Sequence, residues 1–426
     1  MKRVVFAAVG AVAALCIVAG LAVMIIAQRN HMVPTGPPPT LPEGAQPFEI
    51  IRPFADTVAW NRPVSEFGRS ERYAEYAQRL WNFGSFGGWT EPDRRDDFVI
   101  EFRNYSVPIY DARTATETRT VYWANFGFPP FKGASITIPW NPHWQAAPGN
   151  DAMALIADPD TGELWSIWVL FKANPTTCFT PENFRAGYRP FAHFCAGGAS
   201  KLTNADGSDG DYRTWDSYDN GRGMGVPKLA LVTTPYEVRS GAIEHALELT
   251  VFNPMFGPAC DAGQIGTAAA GDTCGFYVPP ATRIEWTEGP PPHCAEATQP
   301  NGAEFRRKTV PEGMRFALDI SDADIDAWLD TRGYTGAKRN TARIFAVALR
   351  DYGFIIAETG CYGVSIEVDG FVNPDAAEVW RELGIVDDGT AEELLFGLFT
   401  EERLYVVEPP EPAAAVAANP APGLAR

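Results

Sequence analysis

Short runs in which apolar and polar residues alternate dominate the chain, and each run predicts a strand with one buried face. They are "FVIEFRNYSVPIY" (98–110), "RTVYWANF" (119–126), "SITIPW" (135–140), "MALIAD" (153–158), "LWSIWVLF" (164–171), "KLALVTT" (228–234), "HALELTVF" (245–252), "MRFALDI" (314–320), "FIIAET" (354–359) and "GVSIEV" (363–368). Helical spacing is confined to four stretches, 70–83 behind a Ser70 cap, 321–333, 338–353 and 373–385. Irregularly spaced strands separated by many Gly and Pro favour a mainly β fold over alternating βα units. The expected architecture is a β-sandwich or jelly roll with a few peripheral helices.

Both ends depart from this pattern. Val4 to Ala27 is an unbroken apolar run behind Lys2 and Arg3, long enough to cross a hydrocarbon core of about 30 Å. The flanking "IIAQRNH" makes a poor cleavage site, which favours an uncleaved membrane anchor over a signal peptide. Residues 1–30 are therefore expected to be an anchor or signal, and 31–48 a Pro-rich linker that extends. Residues 49–407 form the sandwich domain and 408–426 a disordered tail. The body is expected to be periplasmic or extracellular, anchored to the inner membrane or secreted.

Charge narrows the list of partners. The formal net charge is −18, and such a surface repels phosphate backbones, so nucleic acid is not an expected partner. Seven cysteines occur. Cys16 lies in the apolar run, and the other six suggest disulfides in an exported chain. Their separations suggest Cys178 with Cys195, Cys260 with Cys274, and Cys294 with Cys361. No metal-ligand spacing such as C-x-x-C is present.

Several stretches offer chemistry. Asp158 and Glu163 flank a hairpin turn, and Asp158 is either a turn residue or an acid at a strand end. In "IPWNPHW", Trp144 could stack on a sugar ring or fill a core, and His143 reads most simply as a surface residue. The acidic, Gly-rich segment 206–227 could wrap a calcium ion, although it lacks EF-hand spacing. In "GAIEHALELTV" (241–251), alternation puts His245 on the face of Leu247, Leu249 and Val251, and Glu244, Ala246, Glu248 and Thr250 on the other. A histidine so placed is either a satisfied core residue or a proton-transfer group facing a groove.

Three blocks share a further pattern: Asp158, Thr161, Gly162 and Trp165; Gly225 to Pro227 with Glu237, Gly241, Ile243 and His245 to Leu247; and "PEGMRFAL" (311–318) with "ALRDYGFIIAETG" (348–360). With these the chain resembles a largely uncharacterised family of exported bacterial β-sandwich proteins over roughly residues 120 to 390. The resemblance implies a sandwich and a polysaccharide-type context, with no reaction attached. Two positions depart from it. Glu358 stands where the family tends to have Asp, and Pro235-Tyr236 precede Glu237 where an Arg is usual.

These readings combine into an expected glycan-active protein that cleaves a polysaccharide by acid/base hydrolysis. Glu237 and Glu358 would be the two carboxyl groups, Asp158 a substitute, and His245 the group that sets a protonation state. Trp144, Tyr236, Arg239 and Tyr352 would contact substrate. A lyase would instead use His245, Tyr236 or Tyr352 with Arg239 and suits an acidic protein less well, while a non-catalytic carbohydrate-binding or envelope module is the other alternative. No nucleophile elbow, P-loop, dinucleotide fingerprint or zinc signature is present.

Overall fold

The computed structural model describes residues 54–84, 98–123, 135–149, 151–173, 193–196, 198–202, 222–252, 254–285, 302–360 and 364–412, together with Leu41 and Glu49. The apolar run at 4–27, most of the Pro-rich linker, the calcium candidate as far as residue 221 and most of the tail lie outside them, as do Cys178, Cys294 and Cys361. Among the described residues no helix is long and apolar enough to cross a membrane, and the Cys260–Cys274 disulfide is formed as expected.

Fourteen strands are described. They are β1 (Val99–Glu101), β2 (Ile109–Asp111), β3 (Glu117–Trp123), β4 (Ser135–Trp140), β5 (Ala154–Asp158), β6 (Glu163–Trp168), β7 (Phe171–Ala173), β8 (His193–Ala196), β9 (Gly198–Leu202), β10 (Leu247–Val251), β11 (Arg315–Leu318), β12 (Phe354–Thr359), β13 (Ser365–Glu367) and β14 (Leu404–Val406). The helices that matter below are α1 (Glu75–Arg79), α2 (Pro235–Ser240), α3 (Gly302–Lys308), α4 (Asp322–Arg332), α5 (Gly336–Asp351) and α6 (Pro374–Glu382).

The strands form one six-stranded sheet in the order β1-β13-β10-β12-β11-β14 and two four-stranded sheets, β2-β5-β6-β9 and β4-β3-β8-β7. The large sheet is mixed, with β1/β13 and β10/β12 parallel and β10/β13, β11/β12 and β11/β14 antiparallel. Parallel neighbours need crossover connections, and the helices supply them. Among the described residues helix outweighs strand, 30% against 23%, so the expected sheets are present but not as a clearly mainly β fold.

The core explains this balance. Leu247, Leu249 and Val251 of β10 and Phe354 and Ile356 of β12 pack with Ile325 and Trp328 of α4, Phe345 and Leu349 of α5, and Trp380 of α6. Ala246, Ile355 and Ala357, on the opposite face, pack with Leu229 to Val232 and with Ile109, Leu155 and Leu164 of the second sheet. That sheet uses its other face, through Ile156, Trp165 and Ile167, to meet Val121, Ile138 and Trp140 of the third. The large sheet is thus covered on both faces, which is why every residue of β10 is buried.

Local signals fix the helix ends. Ser321 and Asp324 make a reciprocal capping box at the start of α4, and Gly333 closes it at φ 65°. The 70–83 stretch is α-helical only over Glu75–Arg79 and widens into a π turn at Leu80–Gly84. "KLALVTT" is a 3-10 turn over Lys228–Leu231 where a strand was expected. Four apolar residues buried in a row, Leu229 to Val232, carry no period, and the preceding Pro227 begins the turn.

Edge strand β1 supplies a prediction. Glu101 sits in register with Glu367, and burial, followed by the charges of Glu392 and Glu367, pushes its carboxyl up to about 8. The folded chain then holds a proton that the unfolded chain releases near pH 4.5. Stability contributed by that proton is complete below pH 4.5 and is lost as the pH rises towards 8. Melting temperature measured from pH 4.5 to 8 should therefore fall less steeply in Glu101→Gln than in the parent.

Candidate active site

The site grows from an irregularity in β12. Leu249 pairs with Ile356 but Thr250 pairs with Glu358, so Ala357 is an extra residue in the ladder. Without the bulge, Glu358 would share the helix-covered face with Ile356. With it, Glu358 joins Glu248 and Thr250 on the opposite face. The segment from Arg222 docks on the same irregularity, as the Met224 N–H donates to the Ala357 carbonyl at 2.9 Å. Gly225, at φ 83°, turns that segment where a Cβ would collide with Thr282 Oγ1.

Five charged side chains converge there. Arg222 Nη1 lies 3.2 Å from Glu248, 3.2 Å from Glu358 and 3.0 Å from Glu367. Lys228 Nζ contacts Glu358 and lies 2.9 Å from Glu367 Oε2. The Glu367 N–H donates to Glu248 Oε2 at 3.1 Å. Carboxylate oxygens of Glu248, Glu358 and Glu367 lie within 4.8 Å of one another, a spacing that would suit a cation. Here Lys228 and Arg222 supply the positive charge. Burial, opposed by Arg222, lifts Glu248 well above the ordinary carboxyl range, and with Glu248 protonated the two remaining carboxyls face two cations.

Glu358 is the outlet of this cluster. Its side chain is 20% exposed, against 0% for Arg222 and Glu248 and 3–4% for Glu367 and Lys228. Burial alone would raise its proton affinity, but the charges of Lys228 and Arg222 overcome that and hold it below the usual range.

A second carboxyl group stands next to it. Gly223 N–H donates to Glu358 Oε2 at 3.4 Å, and a Cβ built on Gly223 would lie 2.6 Å from Glu285 Oε2. With standard backbone dimensions, those two oxygens are no more than about 8.5 Å apart. Glu285 Oε2 accepts from the Thr359 N–H at 3.1 Å and from Thr359 Oγ1 at 2.8 Å. Burial and then the Glu358 charge raise the Glu285 carboxyl. The two neighbours are driven in opposite directions, one towards the carboxylate and one towards the acid.

Glu312 lies behind Glu285 and is fully buried. Its Oε2 accepts the Glu285 N–H at 2.8 Å. Burial, followed by the Glu285 charge, raises the Glu312 carboxyl well above the normal range. The adjacent Gly313 allows this approach, because at φ 79° a Cβ there would meet the Val278 carbonyl.

The residues expected from sequence are dispersed around this centre. His245 and Glu237 do meet, Nε2 to Oε1 at 3.1 Å, but both are sealed from solvent. Glu237 also completes the capping box of α2 with Thr234, and His245 Nδ1 is 2.9 Å from the Ala246 carbonyl. His245 lies five residues before Thr250, the strand partner of Glu358, a span of roughly 16 Å. The expected convergence of His245 and Glu237 with Glu358 is therefore corrected, because the imidazole is bound at the far end of β10. This pair is structural: Glu237→Ala should cost about 2 to 4 kcal/mol in urea denaturation by removing both a cap and the partner of a buried imidazole.

Asp158 is consumed by its own turn, accepting from Asp160 N–H at 2.9 Å and Thr161 N–H at 3.4 Å. Trp144 is a core residue, stacked on Tyr110 with ring centroids 5.0 Å apart. Tyr236 and Arg239 lie together on α2, where Arg239 pairs with Glu49 and Glu382. Tyr352 ends α5, and its carbonyl accepts from Arg315 Nε at 2.7 Å. His143 is partly exposed in its loop. Of the expected catalytic residues, Glu358 is the one at the centre.

Sequence reading missed Arg222, Lys228, Glu248, Glu285, Glu312 and Glu367. The usable signal was charge embedded in apolar runs, as in "VPKLALV", "LELTV" and "VSIEV". Comparison with family models, with curated proteins and with solved structures found no match to this chain.

Proposed function

We propose that this chain is an acid–base hydrolase of glycosidic bonds, with Glu285 as the acid and Glu358 as the carboxylate. The observation that carries the reading is the Glu285–Glu358 pair: two carboxyls beside one glycine, pushed apart in proton affinity by fixed neighbours. Their separation, at most about 8.5 Å, does not exceed the upper limit of about 9.5 Å for carboxyl pairs that flank a glycosidic bond. Glu285 gives its proton to the leaving oxygen. Glu358 faces the positive charge that develops on the sugar ring, as a nucleophile or as a base towards water. Lys228 and Arg222 keep it ionised, and Glu312 keeps a hydrogen bond on Glu285 from behind.

In this reading the substrate is a polysaccharide outside the cytoplasm, reached by a domain exported behind its N-terminal apolar run. A sandwich-like role for the second and third sheets, which share one core, fits a glycan-handling scaffold. The test is incubation of residues 49–426 with envelope and algal polysaccharides, with new reducing ends and unsaturated products measured together. Hydrolysis yields reducing ends alone, and unsaturated products would assign a lyase. A polymer retained on the protein without cleavage would assign a binding module.

A further inference from the structure

The Glu285 carboxyl occupies a place that the large sheet leaves open. β11 pairs with β12 at Phe354 and Ile355, and the turn before β11 extends that contact to Ile356, whose carbonyl accepts the Gly313 N–H at 2.8 Å. Thr359 lies three residues further along β12, past the end of that pairing, and its N–H meets Glu285 Oε2 at 3.1 Å in place of a strand. The Thr359 hydroxyl donates to the same oxygen at 2.8 Å. Gly223 stands against the same carboxyl, since a Cβ there would lie 2.6 Å from Oε2 and 2.7 Å from the carboxyl carbon. Both sides are anchored. Arg283 donates from Nε to the Gly223 carbonyl at 2.8 Å and from Nη2 to the Arg222 carbonyl at 3.1 Å, while Glu312 holds the Glu285 N–H.

We propose that Thr359 is the positioning residue of the acid, fixing Glu285 Oε2 as the accepting oxygen so that the transferred proton is carried on Oε1. This inference rests on the hydrolase reading and says which atom of Glu285 acts. A protonated carboxyl has one O–H and one carbonyl oxygen, and the carbonyl oxygen is the better acceptor, so two donors on Oε2 leave the proton to Oε1. In the reaction the Oε1–H bond breaks and its proton bonds to the glycosidic oxygen, which takes the electron pair of the broken C–O bond. The carboxylate left on Glu285 keeps both Thr359 bonds, and these strengthen as its charge forms. Thr359 therefore favours the reacting state over the resting acid, the property that speeds a proton transfer. Because Thr359 directly follows Glu358, the end of β12 positions both members of the pair.

Two variants of the full chain test it. Thr359→Val keeps the shape and the backbone N–H but removes the hydroxyl, and Thr359→Ser puts a hydroxyl back. The ¹³C carboxyl signal of Glu285, identified by its loss in Glu285→Gln, should titrate at higher pH in Thr359→Val than in the parent, because the hydroxyl bond lowers the proton affinity of Glu285. It should return in Thr359→Ser. On a panel polysaccharide that the parent cleaves, Thr359→Val should lower kcat at least about tenfold and move the alkaline limb of kcat/KM upward in step with the signal. Thr359→Ser should recover both. A Glu285 signal that titrates alike in Thr359→Val and the parent overturns the proposal. So does a shifted signal with an unmoved alkaline limb, which leaves cleavage and the hydrolase reading standing. A signal that shifts as expected while the parent cleaves none of the panel removes the hydrolase reading, and this role with it.

Discussion

Glu285→Gln is expected to lower kcat on a cleaved glycan by about 10² to 10⁴-fold, the usual contribution of a positioned general acid, with KM little changed. Glutamine keeps the volume and can still accept from Thr359, so the loop should stay in place while the transferable proton is lost. Glu358→Gln should cost at least as much, because it removes the charge that faces the developing cation. The pH profile separates their roles. Glu285 is raised, so the alkaline limb of kcat/KM should lie above the ordinary carboxyl range, and Glu358 is lowered, so the acid limb should lie below it. In Glu358→Gln the alkaline limb should move to lower pH, since the Glu358 charge is the second cause of the raised Glu285. Residual turnover measured from pH 3 to 9 checks both. An unchanged profile in either variant would remove that residue from the chemistry.

Lys228→Met should destabilise the fold by about 3 to 5 kcal/mol, the cost of stranding buried charge. The ammonium is 4% exposed and contacts both Glu358 and Glu367. Methionine fills the space but leaves Glu358 and Glu367 facing Arg222 alone. Urea denaturation should show the loss in the midpoint. The variant should regain stability when Glu358→Gln is added, because the second change removes one uncompensated charge. If the two effects simply add, the network is not coupled as its geometry implies. A further sign is pH: Lys228→Met should recover stability as acid protonates the stranded carboxyls, the opposite of ordinary acid denaturation.

Much of the fold was legible before the structure. Nine of the ten expected strand segments overlap a strand, and the four helical stretches each overlap a helix. Those signals are local, set by spacing, caps and turn residues. β14 was missed because "LYV" is too short to show a period, and it exists by pairing with β11. The cover over the large sheet was underestimated for a related reason. Alternation in "HALELTV" does separate His245 from Glu244, which is exposed, but it assigns Glu248 to solvent, whereas the second sheet covers that face.

What the sequence determined by itself was therefore most of the strands, the main helices and the Cys260–Cys274 bridge. Tertiary structure alone decided which carboxyls meet. Glu285, Glu312 and Glu358 come from segments far apart in the chain, and a one-residue bulge turns Glu358 towards them. A charge's proton affinity depends on burial and on neighbours within a few ångströms, and neither distance nor burial across the chain is written in residue spacing.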